Sequence, residues 1–285
     1  MDELKKKYPI GKICSKLQVS RAGYYKYEKN KGKKKKESKK ERQLKEYIQL
    51  VYQEHKSRYG YRKIRAVLNN EYNIPVSEKV VRRLMRELGL KSLARKWKKG
   101  TKQHKVASAG YIYENILQRD FSTKGINEKW VTDVTEIAYG NGKLYLSSIL
   151  DLHNNRILGH SIAKIHDVNL VEASLLDALK KRINKNQKLI LHSDQGFTYR
   201  STKWHQLMKK YILTPSMSRK ANPFDNACIE SFFSYLKTEC LEELKLAHNL
   251  VEATKVFNDF VYYYNHKRIQ STLNYKTPNQ YVEAS

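Results

Sequence analysis

Hydrophobic positions recur at two different spacings along this 285-residue chain. In residues 41–90 they recur every three or four positions, for example at Leu44, Ile48 and Val51, as on a helix with one buried face. From Lys129 onward they alternate with polar residues or form uncharged runs, as in the strands of a sheet. The pattern therefore predicts an all-α front followed by an α/β back.

Three helices are predicted within residues 41–90. Gly60 separates the first two, Pro75 follows the second, and Ser77 is the expected N-cap of the third. A short turn before a helix with a basic outer face is typical of a helix-turn-helix, whose second helix enters the DNA major groove. The alternative is a solvated basic surface. In the third helix the apolar side is Val80, Val81, Leu84 and Leu88, and the opposite basic stripe is Lys79, Arg82, Arg83 and Arg86.

The back of the chain predicts a mixed five-stranded sheet with flanking helices. Three antiparallel strands come first, WVTDVTEIAYG, KLYLSSILDL and RILGHSIA, and the Asn-Gly pair between the first two is a hairpin signal. In the helix that follows the fifth predicted strand, Asn222 to Lys237, Glu230 and Lys237 are two turns apart and share one face. The remaining predicted elements are a helix over 168–183, a strand KLILHSD, a helix over 201–210, a strand ILTPS and a helix over 249–268.

These patterns divide the chain into five predicted segments. Residues 10–27 form two short helices around a turn capped by Ser20. Residues 31–40 contain seven lysines, and such a run repels itself and stays solvated. The segments are an N-terminal helical arm (1–30), a Lys-rich linker (31–40), a helix-turn-helix DNA-binding domain (41–90), a basic connector (91–125) and an α/β domain with a C-terminal helix (126–285).

Charge indicates a polyanionic partner. The chain carries a net charge of +28, and residues 1–120 hold 34 of its 56 Lys and Arg against 12 Asp and Glu. So large an excess at the front favours nucleic acid as the partner. The alternative is a ribosomal-type or merely basic protein.

The sequence indicates a cytoplasmic, nucleoid-associated setting. Cys14, Cys228 and Cys240 form neither a disulfide framework nor a zinc pattern, which favours reduced thiols. The N-terminus lacks the apolar core of a signal peptide, and no apolar run reaches the length of about 18 residues expected of a membrane span.

Three carboxylates are candidates for one metal site. Asp133 lies within the first predicted strand, Asp194 ends the fourth, and Glu230 lies on the helix that follows the fifth. If the first and fourth strands are parallel neighbours, Asp133 and Asp194 lie within a few ångströms of each other. Three carboxylates without a His/Cys set suit Mg²⁺ or Mn²⁺, and two such ions support phosphoryl transfer.

Each acid also has a structural interpretation. Asp194 begins Asp-Gln-Gly and could serve only a turn, and Asp133 could cap a bulge. Asp151 is a rival carboxylate, but the Asn-Asn pair after it favours a turn role. Asp225 precedes a helix, so N-capping suits it better than catalysis.

The three acids and their surroundings resemble those of the DDE transposase and retroviral-integrase superfamily. The matching motifs are WVTDVTEI, HSDQG and NPFDNACIESFF, with 35 residues between Asp194 and Glu230 and with Lys237 at the position of a basic residue in that superfamily. The likeness to the OrfB product of bacterial insertion sequences extends over nearly the whole chain. It includes RYGYR at residues 58–62 and a terminal segment from Tyr264-Asn265 to Thr277-Pro278. No His/His/Cys/Cys zinc module precedes His55.

The resemblance implies a ribonuclease H-like catalytic domain behind the helix-turn-helix. It implies that Asp133, Asp194 and Glu230 are catalytic and bind two Mg²⁺ or Mn²⁺ ions, and that the reaction is DNA cleavage followed by strand transfer at the element's ends. Partners would be the terminal inverted repeats and target DNA, further copies of this chain (at least a dimer on DNA), and the product of an upstream overlapping frame. The implied DNA contacts are Lys237, His192 and Asn226, together with Arg62, Lys63 and the basic stripe at Lys79, Arg82, Arg83 and Arg86.

Two other functions remain open at this point. The chain could be a DNA-binding modulator of transposition without catalysis of its own, or a ribonuclease H-type nuclease without strand transfer. The intact acid triad speaks against the first, and the helix-turn-helix and the 35-residue spacing speak against the second.

Overall fold

A computed structural model describes residues 3–31, 38–93, 110–140, 142–182, 187–219 and 223–283. Most of the predicted Lys-rich linker, much of the basic connector and Asn141 of the predicted hairpin turn lie outside these residues. The chain divides into two compact units, residues 1–47 and residues 48–285. In the described part, no helix combines the length and the apolar character needed to cross a membrane.

The first unit contains the two short helices predicted for it. Helix α1 is Ile10–Lys16 and helix α2 is Arg21–Asn30, after a 3-10 turn at Leu4–Lys6. The Ser20 hydroxyl accepts a hydrogen bond from the Gly23 backbone N–H at 3.3 Å, so Ser20 is the predicted N-cap.

Three helices occupy the predicted helix-turn-helix region: α3 (Lys39–Glu54), α4 (Tyr61–Asn70) and α5 (Glu78–Glu87). Ser77 stands at the start of α5, but its hydroxyl accepts no capping hydrogen bond. The buried face of α5 is shifted from the prediction, because Met85 is buried whereas Val80 and Leu88 are only partly buried. The four residues of the basic stripe are all exposed, as expected: Lys79, Arg82, Arg83 and Arg86.

The back of the chain forms the predicted mixed five-stranded sheet. Its strands are β1 (Lys129–Tyr139), β2 (Gly142–Asp151), β3 (Ile157–Ala163), β4 (Ile190–Ser193) and β5 (Thr214–Met217). The order is β3-β2-β1-β4-β5. The first three strands pair antiparallel, while β1 with β4 and β4 with β5 pair parallel. The predicted ribonuclease H-like architecture is confirmed.

Helices flank this sheet: α6 (Val168–Lys180), α7 (Thr202–Lys210), α8 (Ala227–Glu239), α9 (Leu241–Leu246), α10 (Leu250–His266) and α11 (Pro278–Glu283). The core includes Trp130, Leu191 and Trp204. Helix α6 lies so close to β3 that a Cβ on Gly159 would stand 2.1 Å from the Ser174 carbonyl oxygen. Any larger side chain at position 159 would push α6 off the sheet.

Candidate active site

Asp133 and Asp194 lie beside each other because β1 and β4 are parallel. The last residue pair between these strands is Val131 with His192. Each aspartate is two residues beyond that pair, so both are level and project from the same face of the sheet. The prediction that adjacent parallel strands bring these acids together is therefore supported by the register.

Electrostatics shows that the two carboxylates interact. Burial raises the pKa of the Asp133 carboxyl well above its usual range, and the charges of Asp194 and Glu230 raise it further. The Val134 backbone N–H donates to Asp133 Oδ1 at 2.7 Å and, with the Lys237 charge, opposes the rise. A carboxylate under such repulsion favours a nearby cation.

Asp194 closes a turn and also lies in the candidate metal site. Its Oδ1 accepts a hydrogen bond from the Gly196 backbone N–H at 2.8 Å, so it does close a turn. Burial raises the pKa of its carboxyl, and this hydrogen bond and the charge of His166 oppose the rise. The turn holds the carboxylate at the end of β4, next to Asp133.

Helix α8 presents Glu230 and Lys237 on its exposed side. Phe232, Phe233 and Leu236 are buried, as the pattern predicts. Burial and the charge of Asp194 raise the pKa of the Glu230 carboxyl. The charge of Lys237 in turn lowers the pKa of Asp133. β1, β4 and α8 thus bring four predicted charged residues close enough to interact electrostatically: Asp133, Asp194, Glu230 and Lys237.

The three carboxylates do not yet form a ready metal cage. Within the described ranges, no group of three His, Cys, Asp or Glu side chains is arranged to hold a metal ion. The donor chemistry nevertheless fits a hard divalent cation, because all three candidate ligands are carboxylates and two are mutually repelled. Glu230 is exposed, so its side chain can turn toward the aspartates without disturbing the core.

Asp225 does not cap α8, so the N-cap prediction is wrong. Its carboxylate, fully enclosed, accepts hydrogen bonds from Arg219 at 2.9 and 3.0 Å, from Arg119 at 2.8 Å and from Asn115 at 3.0 Å. Hydrogen bonds from Arg219 hold the pKa of this carboxyl well below its usual range, and Arg119 lowers it further. Asp225 therefore fastens the lead-in segment of β1 to the turn before α8.

The prediction that His192 contacts DNA is wrong. Its side chain has no exposed surface, and its ring nitrogens hydrogen-bond with Ser216 at 2.9 Å and Ser218 at 3.0 Å. Burial lowers the pKa of the imidazole to about 4, so it is neutral near pH 7. Ser216 also accepts a hydrogen bond from the Ile116 backbone N–H at 3.0 Å. His192 thus joins β4, β5 and the segment before β1.

Asn226 is also buried, contrary to its prediction as a DNA contact. Its Nδ2 donates to the Thr132 carbonyl oxygen at 3.1 Å, which ties the start of α8 to β1 beside Asp133. Its Oδ1 is buried and has no hydrogen-bond partner in the described part of the chain.

Comparison with known proteins assigns the family. An HTH-like domain model matches residues 39–98, and two integrase core domain models match residues 124–223 and 211–278. InsK of insertion sequence element IS150 from Escherichia coli (strain K12) is 36% identical over 99% of this chain and 96% of its own length. The transposase of insertion sequence element IS904 from Lactococcus lactis is 33% identical over 84% of this chain and 92% of its own length.

The chain belongs to the insertion-sequence transposases. Its integrase core makes it a nucleotidyl-transferase of that family. Among solved structures, the HTLV-2 integrase catalytic core domain in complex with magnesium matches 54% of this chain and 95% of its own, at 19% identity and a TM-score of 0.45. A simian T-cell lymphotropic virus intasome matches 84% of this chain and 75% of its own, at 16% identity and a TM-score of 0.48.

Two residues at this transposase core were missed by the sequence reasoning. Tyr199 is buried, and its hydroxyl lies 3.2 Å from Thr132 Oγ1. Burial raises the pKa of this phenol well above its usual range, and the charges of Asp133 and Asp194 add to the rise. His166, between the rings of Tyr145 and Phe197 at 5.3 and 4.7 Å, is close enough to Asp194 to affect its pKa. Neither residue stands in a motif that the sequence analysis used.

The predicted DNA-contact residues near α4 differ in exposure. Arg62 is exposed and its Nε lies 3.8 Å from Glu78. Lys63 is largely enclosed, with its ammonium 4.8 Å from the centre of the Tyr59 ring. On α5, Arg83 pairs with Glu87 at 2.8 Å. The outward-facing side chains on α5 therefore remain the better candidates for contact with duplex DNA.

Proposed function

We propose that this transposase cleaves DNA at the ends of its insertion sequence and joins them to a target by metal-dependent phosphoryl transfer. The observation that carries the proposal is the level placement of Asp133 and Asp194 at neighbouring parallel strands. Glu230, on α8, is close enough for its charge to raise the pKa of Asp133. This donor set fits the DDE assignment.

Asp133, Asp194 and Glu230 would hold two Mg²⁺ or Mn²⁺ ions. When bound, such ions activate the attacking oxygen and stabilise the leaving oxygen. The chain's own contribution is to keep carboxylates together despite their repulsion, which the folded sheet and α8 accomplish. Lys237, two turns from Glu230 on an exposed face, would bind a DNA phosphate next to the site.

The reaction consists of two displacements at phosphorus. In the first, water attacks a phosphodiester at the element's end, the P–O3′ bond breaks, and a 3′-hydroxyl leaves. In the second, that hydroxyl attacks a target phosphodiester and loses its proton, the target P–O3′ bond breaks, and the target's 3′-oxygen takes a proton and leaves as a hydroxyl. Neither step needs a nucleophilic side chain, so orientation of DNA by the protein is decisive.

DNA would be positioned mainly by the exposed basic stripe on α5, with Arg62 beside it. Joining two element ends to one target requires two bound ends, so we propose a dimer or larger assembly on DNA. Pairing with the product of an upstream frame belongs to the same proposal.

The decisive test is a Mg²⁺-dependent end-cleavage assay on duplexes that carry the terminal inverted repeat. Replacing Asp133 with Asn should lower cleavage and strand transfer by at least about 10³-fold, because a metal-binding charge is lost. DNA affinity measured by fluorescence anisotropy should be unchanged or higher. The exposed Asp259→Asn variant is the matched control and should cleave normally.

Retained cleavage by Asp133→Asn would contradict the proposal. Binding without cleavage by the unaltered chain would instead favour a modulator of transposition. Preferential cleavage of RNA–DNA hybrids, without strand transfer, would favour a ribonuclease H-type nuclease.

A further inference from the structure

A cavity of about 390 Å³ opens where the start of α4 meets the end of α8 and the segment after α10. Four cationic side chains line it, Arg58, Arg62, Lys63 and Arg268. Glu239 is the one carboxylate among its described lining residues. The cavity includes neither Asp133 nor Asp194, so it is separate from the candidate metal site.

The carboxylate of Glu239 is already shared by two buried guanidinium groups. Its Oε1 accepts from Arg268 at 2.8 Å, and its Oε2 lies 3.8 Å from Arg58 Nε. All three side chains are at most 6% exposed. Glu243 also lies 3.9 Å from Arg58, so two carboxylates face the two buried arginines, and the excess positive charge of the cavity comes from Lys63.

Two buried donors in the wall make no hydrogen bond of standard geometry in the described part of the chain, Arg58 Nε and Gln270 Nε2. Arg58 Nε lies 3.8 Å from Glu239, and Gln270, only 8% exposed, is near the Tyr264 hydroxyl. The Lys63 ammonium contacts the Tyr59 ring, and the acidic group that acts on it is Glu239, whose carboxylate is already shared by two arginines. Buried donors are rarely left unmet, and donors on cations bind most strongly to anionic oxygens.

The first turn of α4 adds backbone donors to the same wall. Gly60 is its N-cap and has no side chain to accept from the first N–H groups. Tyr61, Arg62 and Lys63 follow at once and line the cavity. The Lys63 N–H already donates to the Gly60 carbonyl oxygen at 3.0 Å, so Tyr61 and Arg62 supply the backbone donors. A tetrahedral anion with several acceptor oxygens suits this combination of helix N-terminus, guanidinium, ammonium and amide.

The mouth of the cavity is continuous with the basic stripe on α5. The Arg82 guanidinium carbon lies 5.8 Å from the centre of the Tyr61 ring, and the Arg62 guanidinium carbon lies 5.5 Å from it. A duplex lying on the stripe would therefore pass close to the mouth of the cavity.

We propose that this cavity seats one backbone phosphate of the duplex held by α5, with Lys63, Arg268 and Gln270 as its ligands. The proposal rests on the proposed function only in taking DNA as the partner, and it does not require cleavage. Since Glu239 ends the helix that carries Glu230, the phosphate would be bound next to the far end of α8.

The test compares Lys63→Gln with Lys267→Gln in the full-length chain, with a chelator present so that no cleavage occurs. Lys267 is exposed and adjacent to the cavity, but its side chain does not line it, so both variants lose the same charge in the same region. DNA affinity is measured across a salt series. Lys63→Gln should lower affinity about tenfold and reduce the salt slope by about 1, as expected when one phosphate contact is lost. Lys267→Gln should change both far less.

A second measurement needs no protein variant. Single uncharged methylphosphonate groups are placed in turn along the bound duplex. At one position, the methylphosphonate should weaken DNA binding by the unaltered chain about as much as Lys63→Gln does. At that same position it should cause no further loss of affinity in the Lys63→Gln variant.

Equal effects of the two lysine variants, or additive losses at every methylphosphonate position, would overturn the phosphate site. Thermal unfolding of Lys63→Gln checks that it folds, and the methylphosphonate scan of the unaltered chain decides the matter if it does not. Because cleavage is absent throughout, a chain that binds in this way but never cleaves would overturn the proposed function and leave the phosphate site standing.

Discussion

Asp133 is a carboxylate whose pKa is raised by burial and by the charges of Asp194 and Glu230. Such a residue lowers the stability of the protein and is retained for what it binds. The sequence predicted its position from a carboxylate in the middle of the first predicted strand. The sequence could not predict that His192 and Asn226 are buried away from DNA. Their burial depends on Ser216, Ser218 and Thr132 in distant elements.

Replacing Asp133 with Asn should raise stability in a chelator by about 1–2 kcal/mol, a rise of about 2–6 °C in midpoint, because the repulsion from Asp194 and Glu230 is removed. Differential scanning calorimetry measures this. Added Mg²⁺ should then raise the midpoint of the unaltered chain but not of the variant. Asp259→Asn serves as the control, and a lower midpoint for Asp133→Asn would show that the carboxylate stabilises the fold.

Lys63 makes the stability of the fold depend on pH. Burial lowers the pKa of its ammonium to about 7, the Arg268 charge adds to this, and Glu239 opposes it. The unfolded chain keeps the proton up to about pH 10.5, so stability from this group rises with pH between about 7 and 10.5.

Lys63→Gln should therefore be more stable than the unaltered chain below about pH 7, by about 1–2 kcal/mol after allowance for residual hydration. The difference should shrink toward pH 10. Urea unfolding at a series of pH values, with Lys267→Gln beside it, measures the effect. A constant difference across that range would mean that the lysine is well solvated.

Helix α8 shows how far an element can be read from sequence. Its apolar face and the two-turn spacing of Glu230 and Lys237 follow from periodicity, and the structure confirms both. The contacts that hold the start of α8 cannot be predicted from periodicity, because Asp225 binds Asn115 and Arg119, which are 110 and 106 positions away. Local pattern predicts that a helix exists, whereas its placement depends on contacts between distant segments.

Replacing Asp225 with Asn should destabilise the chain by about 2 kcal/mol, since Arg219 and Arg119 lose a charged acceptor. The start of α8 would shift with them, so the cleavage rate should fall more than DNA affinity. Denaturant unfolding and single-turnover cleavage measure the two effects, again beside Asp259→Asn. Full activity with lowered stability would limit Asp225 to a structural role.

At the scale of residues 48–285, the helix-turn-helix region and the end of the chain are joined by one buried cluster. Arg58 and Arg268 share Glu239, and their guanidinium carbons lie 4.5 Å from the ring centre of Tyr263 and 4.0 Å from that of Tyr235. The two motifs that resembled the OrfB family at opposite ends of this region, RYGYR and the segment from Tyr264, are thus packed together. Sequence identified each motif, and no pattern within either one predicted that they meet.

Glu239→Gln should destabilise the chain by about 3–5 kcal/mol, because two buried guanidinium groups lose their shared charge. The exposed Glu242→Gln variant is the control and should lie within about 0.5 kcal/mol of the unaltered chain. Urea unfolding followed by circular dichroism measures both. A loss below about 1 kcal/mol would show that water reaches the cluster and replaces the carboxylate.

The Tyr59 hydroxyl has a consequence for synthesis of the protein. It donates to the Lys267 carbonyl oxygen and accepts from the Ile269 backbone N–H, partners 208 and 210 positions further along the chain. On the ribosome, the front of the molecule therefore emerges long before the residues that complete its packing. Chains terminated before residue 267 leave Tyr59 without those partners, and they should be removed by proteases rather than persist as competing DNA binders.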